Sequence, residues 1–324
     1  MKKNILSIVI PTYNRSELLD ISLCNLISTV RKFNIEIIVS DNASTDNTES
    51  VVRSRINDYS ELKYFRQPTN VGYDRNVMNC YNYASTDYIW ILGDAYQIVK
   101  EQLENVICKL DEGVYQGIVM NALNRIQNIP SKIYNDPSNL LSDLGWHMTL
   151  LNSFVISKEF TKNIACERYY NTYFFHLGVF FENIVLYDNL QICWIEENLI
   201  LHTKFDENLG DLRKGGWFDK IFEVFGTHWF CLIMSLPNQI SIDAKLKCIK
   251  DHDENTHIFA FKKLIRLRAN DVIYRKDFDD NKVFVPFFTD VSMKKLEMVF
   301  YIPVFILKLM KLVNTIAKKL RNDF

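Results

Sequence analysis

The chain has 324 residues, of which 48% are hydrophobic and 13% aromatic, and its formal net charge is −1 at pH 7. A chain of this length and composition can bury a large core, and its near-neutral charge gives no basis for expecting nucleic acid as a partner. Seven scattered cysteines without a Cys-x-x-Cys pair argue against a disulfide framework and a zinc site, and they favour a reducing cytosol. Because Met1–Ile5 leads directly into a strand-like run, we expect no signal peptide.

Short apolar runs and helical periods alternate through the first third of the chain. Strands are predicted at Ile5–Ile10, Glu36–Ser40, Leu62–Arg66, Tyr88–Leu92 and Gly117–Asn124. Helices are predicted at Ser16–Thr29, Asp74–Tyr83 and Val99–Leu110, with a polar helix after Asn47. Strand and helix alternating at this spacing predict an α/β fold with a mainly parallel sheet and right-handed crossovers.

The second half of the chain is less regular. Residues 127–143 contain two prolines and are predicted to form a loop. Leu150–Ser157 is strand-like, and Gln191–Ile195 with Leu199–Lys204 is predicted to form a closing strand and its exit. Beyond about Arg213 the pattern is helical, which predicts a larger domain over residues 1–212 and a helical C-terminal region over 213–324.

The C-terminal stretch Val304–Arg321 places Leu and Ile on one side of a predicted helix. The cations largely occupy another side: Lys308, Lys311, Lys318, Lys319 and Arg321. This pattern is typical of a helix that lies on an anionic membrane surface, and we favour that interpretation over a packed helix with a solvated basic face. The apolar run Met298–Leu307 is shorter than the roughly 20 residues that a spanning helix needs.

Four motifs occur in order near the ends of predicted strands: Ile8–Arg15, Val39–Asp46, Asn70–Asn76 and Leu92–Asp94. Together they resemble the inverting A-type glycosyltransferases of family 2, the large bacterial family that contains O-antigen and capsule sugar transferases. The resemblance covers about residues 5–205, and the Leu-Gly-Asp motif is similar to the abequosyltransferase branch. It implies the nucleotide-diphospho-sugar transferase fold and a nucleoside-diphosphate sugar as donor.

The resemblance also implies roles for the donor-binding residues. The end of the first strand would line a slot for the base: Pro11, Thr12, Tyr13, Asn14 and Arg15. Asp41 would accept the imino proton of uracil or thymine, although a helix-cap role is the alternative. Asn70 and Gly72 suit a loop that approaches a ligand closely, and Arg75 offers a bidentate fork to a phosphate or ribose.

Asp94 would contact the ribose and help to position a metal ion. The family normally has a second Asp at the next position, as a ligand of Mg²⁺ or Mn²⁺, and this chain has Ala95. Hard divalent cations need oxygen ligands, which alanine lacks, so we expect weakened metal binding. Two explanations compete: Ala95 is an inactivating replacement, which we favour, or the protein is naturally weak or metal-independent.

The catalytic base is harder to assign. The family places an acidic pair at the start of a helix before the closing strand, and counting back from Gln191–Trp194 favours His176. A histidine with an ordinary pKa of about 6.5 is a competent base at neutral pH. A His packed among aromatic residues is the alternative, and Glu182 or Asp188 would then be the base.

Further residues are candidates for the acceptor pocket and a closing lid. Gly145 and Trp146 fall where such enzymes shape the sugar pocket, although a core Trp is equally expected at that position. After the closing strand, cations near glycines would fold over the diphosphate: His202, Lys204, Arg213 and Lys214. The alternative for this segment is an ordinary solvated loop.

These expectations combine into one functional hypothesis. It is a bacterial transferase docked on the inner face of the cytoplasmic membrane, which moves a sugar from UDP or dTDP to a polyprenyl-linked oligosaccharide with inversion. A dinucleotide-dependent oxidoreductase is disfavoured, because Pro-Thr-Tyr-Asn-Arg follows the first strand where Gly-x-Gly-x-x-Gly is required. A catalytically inactive nucleotide-sugar-binding protein is the alternative from another class, and Ala95 favours it.

Overall fold

The computed structural model describes residues 4–163, 167–204, 217, 219–309 and 313. The chain forms two compact units: one from the described part of residues 1–213 with 236–244, and another from the described part of 214–235 with 245–324. The predicted boundary between residues 212 and 213 lies outside the described residues and stays a prediction.

Nine strands form one sheet in the first unit. In chain order they are β1 (Leu6–Thr12), β2 (Glu36–Asp41), β3 (Leu62–Arg66), β4 (Tyr88–Ile91), β5 (Tyr96–Ile98), β6 (Gly117–Ala122), β7 (Lys132–Tyr134), β8 (Phe154–Ser157) and β9 (Ile192–His202). Their order in the sheet is β3-β2-β1-β4-β8-β6-β9-β5, and β7 pairs with β9.

The sheet has a parallel half and a mixed half. The strands β3, β2, β1 and β4 run parallel, whereas β8 pairs antiparallel with both β4 and β6. Strand β6 pairs parallel with β9, which also carries β5 and β7 as antiparallel neighbours. The α/β fold is therefore confirmed, although the sheet is mixed beyond β4. Strands β1, β2, β4, β6 and β9 all end at one edge, called here the carboxyl edge.

Six helices lie in the first unit between these strands: α1 (Ser16–Val30), α2 (Thr48–Asp58), α3 (Tyr73–Tyr83), α4 (Lys100–Asp111), α5 (Pro137–Leu144) and α6 (Phe175–Ile184). Strands β1 and β2 are buried along their length apart from Pro11, as expected for parallel strands covered on both faces. Buried apolar residues of α1 and α4 join the same core as β1, β2 and β4.

The predicted loop over residues 127–143 is wrong in part, because the segment contains β7 and the start of α5. Pro137 occupies the first turn of α5, where its missing N–H is harmless, and the Asp136 side chain accepts the N–H of Asn139 at 2.7 Å. The predicted strand Gly117–Asn124 ends at Ala122, because Leu123 and Asn124 adopt φ values of 59° and 52°.

The later helices are α7 (Trp229–Ser235), α8 (Ile242–Thr256), α9 (Phe261–Ala269), α10 (Arg275–Asn281), α11 (Val285–Phe288) and α12 (Met293–Tyr301), with a π-helical segment at Glu223–His228. The second unit has an aromatic core that includes Phe222, Phe259, Phe278, Phe288 and Phe300. Burial raises the pKa of Asp277 to about 6, although its carboxylate accepts the N–H groups of Phe222 and Glu223. Among the described helices, none combines the length and apolarity that crossing a bilayer requires.

Candidate functional site

Asp94 lies between β4 and β5, and residues from the end of β1 hold its carboxylate. The Thr12 hydroxyl donates to Oδ2 at 3.1 Å, and Arg15 Nη1 donates to Oδ1 at 2.5 Å. The Ser22 hydroxyl of α1 donates to the Asp94 backbone carbonyl at 2.6 Å. Both carboxylate oxygens and the carbonyl oxygen of Asp94 are therefore engaged at the carboxyl edge.

Burial and charge act in opposite directions on Asp94. Desolvation raises the pKa of this carboxyl, while the Arg15 guanidinium and the Thr12 hydroxyl oppose that rise. The side chains are 6% exposed for Asp94 and 22% for Arg15, so water and salt screen the ion pair only weakly. Because arginine stays charged and both donors point at the carboxylate, the geometry fits an ionised Asp94.

Asp41 ends β2 and organises the loop that follows. Its Oδ1 accepts the Ser44 N–H at 2.9 Å and its Oδ2 accepts the Tyr64 hydroxyl at 2.6 Å, with Arg66 Nε 3.6 Å away. Burial, followed by the contact with Asp41, raises the pKa of Tyr64. The Asp41 carboxylate is fully buried and engaged in the turn after β2. Because α2 begins only at Thr48, Asp41 does not cap that helix, and binding of a base stays a prediction.

The loops after β1 and β2 are tied together. Asn14, with a φ of 51°, donates its N–H to the Ser44 hydroxyl at 2.9 Å, and its side-chain oxygen accepts the Thr45 N–H at 2.7 Å. Ala43 lies between Asp41 and Ser44 with a φ of 63°. Tyr13, next to Asn14, is 43% exposed, so its ring is accessible from solvent.

Asn42 connects β2 to the loop before α3. Its amide group donates to the Asn70 side-chain oxygen at 2.9 Å, and its own oxygen accepts the Val71 N–H at 2.9 Å. Gly72 has a φ of 86° and open space where a Cβ would lie, as a loop that admits a ligand requires. No separate role was predicted for Asn42, although an amide directly after a strand end was the available signal.

Arg75 lies apart from this chain of hydrogen bonds, because its guanidinium sits over the Tyr170 ring, 4.7 Å from the centroid. Its neighbour Asp74, which sequence analysis did not select, is buried and accepts the N–H of Tyr173 at 3.1 Å. Burial raises the pKa of Asp74 to about 6. Backbone N–H groups at the start of α6 and in the segment before it oppose this rise. Asp74 thus anchors the start of α6 against α3.

His176 is buried beside Phe154, the first residue of the antiparallel strand β8, which begins at the carboxyl edge. It is 1% exposed, its Nε2 is 3.2 Å from the Met148 carbonyl oxygen, and its ring stacks on Phe154. Burial lowers the pKa of His176 to about 4. A general base must reach the acceptor hydroxyl, so this placement does not support the assignment of His176 as the base.

The two alternative bases are also poorly placed. Glu182 lies toward the end of α6, where it accepts the Tyr169 hydroxyl at 2.6 Å and pairs with Arg168. Asp188 is exposed and precedes β9, so it lies at the opposite edge of the sheet from His202. The base therefore has no assigned residue in the described part of the chain.

Trp146 is buried and supports a cation that sequence analysis missed. Arg125 follows β6 at the carboxyl edge, and its guanidinium lies over the Trp146 ring, 4.6 Å from the centroid. Because Trp146 is 5% exposed and covered by Arg125, stacking of a sugar on its face is not supported. Gly145 is buried at the end of α5. The signal for Arg125 was a cation directly after a strand end.

The lid candidates are partly described. His202 ends β9 opposite Tyr96 of β5, and their rings stack with centroids 5.0 Å apart. Lys204 is exposed. Arg213 and Lys214 lie outside the described residues, and their role as a lid stays a prediction.

The donor set at Asp94 does not fit a resident divalent cation. Mg²⁺ and Mn²⁺ require several oxygen or nitrogen ligands, but the two Asp94 oxygens each already accept a hydrogen bond, from Thr12 or Arg15, and Ala95 supplies no ligand. Most ligands of a cation here would have to come from a diphosphate or from water. Within the described ranges, no group of three or more His, Cys, Asp or Glu residues is arranged to hold a metal.

Comparison with known proteins adds a family and two relatives. A family model described as Glycosyl transferase family 2 matches residues 7–179, more than half of the chain. The chain is 42% identical over 110 residues to abequosyltransferase RfbV of Salmonella typhimurium, covering 33% of each protein. It is 34% identical over 119 residues to the GalNAc(5)-diNAcBac-PP-undecaprenol beta-1,3-glucosyltransferase of Campylobacter jejuni, covering 36% of this chain and 38% of the relative. The alignments therefore span little more than a third of either relative.

Two solved structures share the fold. Residues 1–349 of S. aureus TarS, in complex with UDP, superpose with a TM-score of 0.51 at 15% identity, covering 79% of this chain and 72% of that one. The mannosyltransferase PcManGT of Pyrobaculum calidifontis, in complex with GDP-Man and Mn²⁺, gives a TM-score of 0.52 at 14% identity, covering 82% and 75%. At these identities the likeness establishes the fold alone.

Proposed function

Because the chain belongs to glycosyl transferase family 2, we propose that it moves a sugar from a nucleoside diphosphate to a polyprenyl-linked oligosaccharide, with inversion at the anomeric carbon. One observation carries the proposal: a continuous set of hydrogen bonds joins the tips of β1, β2 and β4 to the Asn70–Gly72 loop. The carboxyl edge, where these strand tips are joined, is where α/β sheets bind ligands.

The donor and acceptor follow from the relatives and from the loop chemistry. We favour UDP or dTDP because Asp41 and Tyr13 resemble the base-binding residues of the family, and TarS was solved with UDP. The C. jejuni relative carries undecaprenol diphosphate in its name, which supports a lipid-linked acceptor in the synthesis of a bacterial surface polysaccharide.

The chemistry is a single displacement. The acceptor hydroxyl oxygen forms a bond to the anomeric carbon while the bond to the diphosphate oxygen breaks, and its electron pair leaves on the diphosphate. The hydroxyl proton passes to a general base. Positive charge beside the diphosphate stabilises the leaving group.

The protein would reach its acceptor as a peripheral protein on the inner face of the cytoplasmic membrane. Apolar side chains, each more than half exposed, lie near the C-terminus on both sides of the helix break at residues 302–303: Met298, Tyr301, Phe305, Leu309 and Val313. We call this set the apolar stripe. Lys308 lies beside it, whereas the other predicted cations of Val304–Arg321 lie outside the described residues.

A transfer assay tests the proposal. With a mixture of labelled nucleotide sugars and bacterial membrane extract, the purified protein or, if Ala95 is the inactivating replacement that we favour, its Ala95→Asp variant should give label in the lipid fraction. Asp94→Asn should abolish transfer by the active form. Absence of both transfer and nucleotide binding would overturn the proposal.

The alternative is an inactive nucleotide-sugar-binding protein, which Ala95 favours. If Ala95 is an inactivating replacement, only Ala95→Asp should transfer sugar, with Mn²⁺ present. Nucleotide binding without transfer by either form would identify a binding protein.

A further inference from the structure

We propose that Arg125 and Arg15 hold the diphosphate of the donor nucleotide in place of a divalent cation. This inference rests on the proposed function, because it assumes a nucleoside-diphosphate donor. It starts from the two arginines of the described chain that lie at the carboxyl edge beside the Asp94–Tyr96 turn.

Arg125 is a partly buried cation without a carboxylate. Its guanidinium is largely desolvated against Trp146, and in the described part of the chain no Asp or Glu pairs with it. Burial lowers the pKa of Arg125 to about 10, so the group stays charged at neutral pH. A buried charge destabilises a protein unless an anion compensates it, and a bound anion would remove that penalty.

The position of Arg125 identifies the class of anion. Arg125 follows β6 by three residues, β6 pairs with β9 up to Ala122, and the end of β9 pairs with Tyr96, which follows Asp94 and Ala95 directly. Arg15 reaches the same turn from the end of β1 by its ion pair with Asp94. A guanidinium recognises phosphate oxygens with two parallel N–H groups, which suits a diphosphate lying along this edge.

Charge balance supports the replacement of a divalent cation by these two arginines. Two guanidinium groups beside one carboxylate leave one net positive charge, as a divalent cation beside one carboxylate would. Side chains therefore carry the positive charge that stabilises the leaving diphosphate. This charge compensates for the absence of a metal ligand at Ala95.

Calorimetry with UDP and with uridine tests this arrangement. In EDTA we expect UDP to bind with an affinity within about threefold of that in Mn²⁺, since Arg125 and Arg15 remain charged in both. Arg125→Gln should weaken the binding of UDP by about tenfold or more and leave the binding of uridine unchanged, because only UDP carries the phosphates. Arg125→Lys should restore part of the loss. The empty Arg125→Gln protein should keep or raise its Tm, since a partly buried charge has been removed.

Arg31 offers a matched control, because its guanidinium also lies over an aromatic ring, that of Tyr59. It differs in position, since it follows the end of α1 on the side opposite the carboxyl edge. Arg31→Gln should leave UDP binding unchanged. UDP binding that requires Mn²⁺, or an Arg125→Gln protein that binds UDP normally, would overturn the inference. If UDP, dTDP, GDP and CDP all fail to bind with and without Mn²⁺, the proposed function fails instead.

Discussion

His147 and His176 are buried without charge, each with its Nε2 at a backbone carbonyl oxygen. Burial lowers the pKa of His147 to about 3 and that of His176 to about 4. In the unfolded chain both titrate near the ordinary value of about 6.5. The stabilisation that comes from keeping both histidines neutral is therefore present above pH 6.5. It is lost as the pH falls toward their pKa values in the folded protein.

We predict that Tm falls steeply between pH 6.5 and pH 5 and that His176→Gln reduces the slope. Each histidine contributes up to about 1.4 kcal/mol per pH unit to the loss of unfolding free energy. Thermal melts across this range measure the slope. His257→Asn is the control, because His257 is exposed, and its slope should match the wild type. If the His176→Gln slope equals that of the wild type, the pKa of His176 does not differ between the folded and unfolded states.

The residue scale also shows why sequence analysis misplaced the base. Counting residues back from the closing strand gives a position along α6, but it does not give the direction in which a side chain points. His176 faces Phe154 and Met148, and nothing in its local sequence distinguishes that orientation from one toward a ligand. Asp94 was found because the end of a buried strand fixes both position and direction.

Among the elements, α6 is packed tightly at Gly178. A Cβ at this position would lie 2.4 Å from Cγ of Tyr169, a ring that is fully buried. Glycine in a helix interior normally costs about 1 kcal/mol relative to alanine, so the close ring explains why glycine is present.

We therefore predict that Gly178→Ala destabilises the protein by about 1–3 kcal/mol, against helix propensity, because Tyr169 must move. Urea unfolding of the wild type and the variant measures the difference. Glu101→Ala in α4, an exposed position, should change stability by less than about 0.5 kcal/mol. A stabilised Gly178→Ala protein would mean that Tyr169 moves freely.

The elements found from sequence are those whose apolar pattern is strong. β1, β2 and α1 were located to within one or two residues, since buried parallel strands and an amphipathic helix leave clear periods. The helix α5 was missed because Pro137 was taken as a loop signal, whereas Asp136 and Pro137 form an N-cap and a first turn. The single strand β9 was predicted in two pieces, because exposed Glu196 and Glu197 interrupt its apolar run where its register with β6 shifts.

For the whole molecule, the apolar stripe predicts binding to anionic vesicles. We expect the protein to float with vesicles of phosphatidylglycerol and phosphatidylcholine in equal parts, and less with phosphatidylcholine alone. The triple change Met298→Ser, Tyr301→Ser and Phe305→Ser should weaken binding by about tenfold or more, because each side chain would otherwise bury apolar surface in the lipid.

Val283→Ser is the matched control, because Val283 and Phe305 are each 71% exposed but Val283 lies outside the stripe. It should float like the wild type. Equal flotation of the triple variant and the wild type would exclude the stripe as the contact surface.

The backbone at Ala43 has a consequence for ligand capture. The left-handed conformation of Ala43, between Asp41 and Ser44, costs alanine about 1–2 kcal/mol, whereas glycine would adopt it without this cost. Glycine, however, would give the free loop many more conformations to lose. Alanine thus preorganises the loop after β2, and under the proposed function a donor nucleotide would lose less binding energy to ordering that loop.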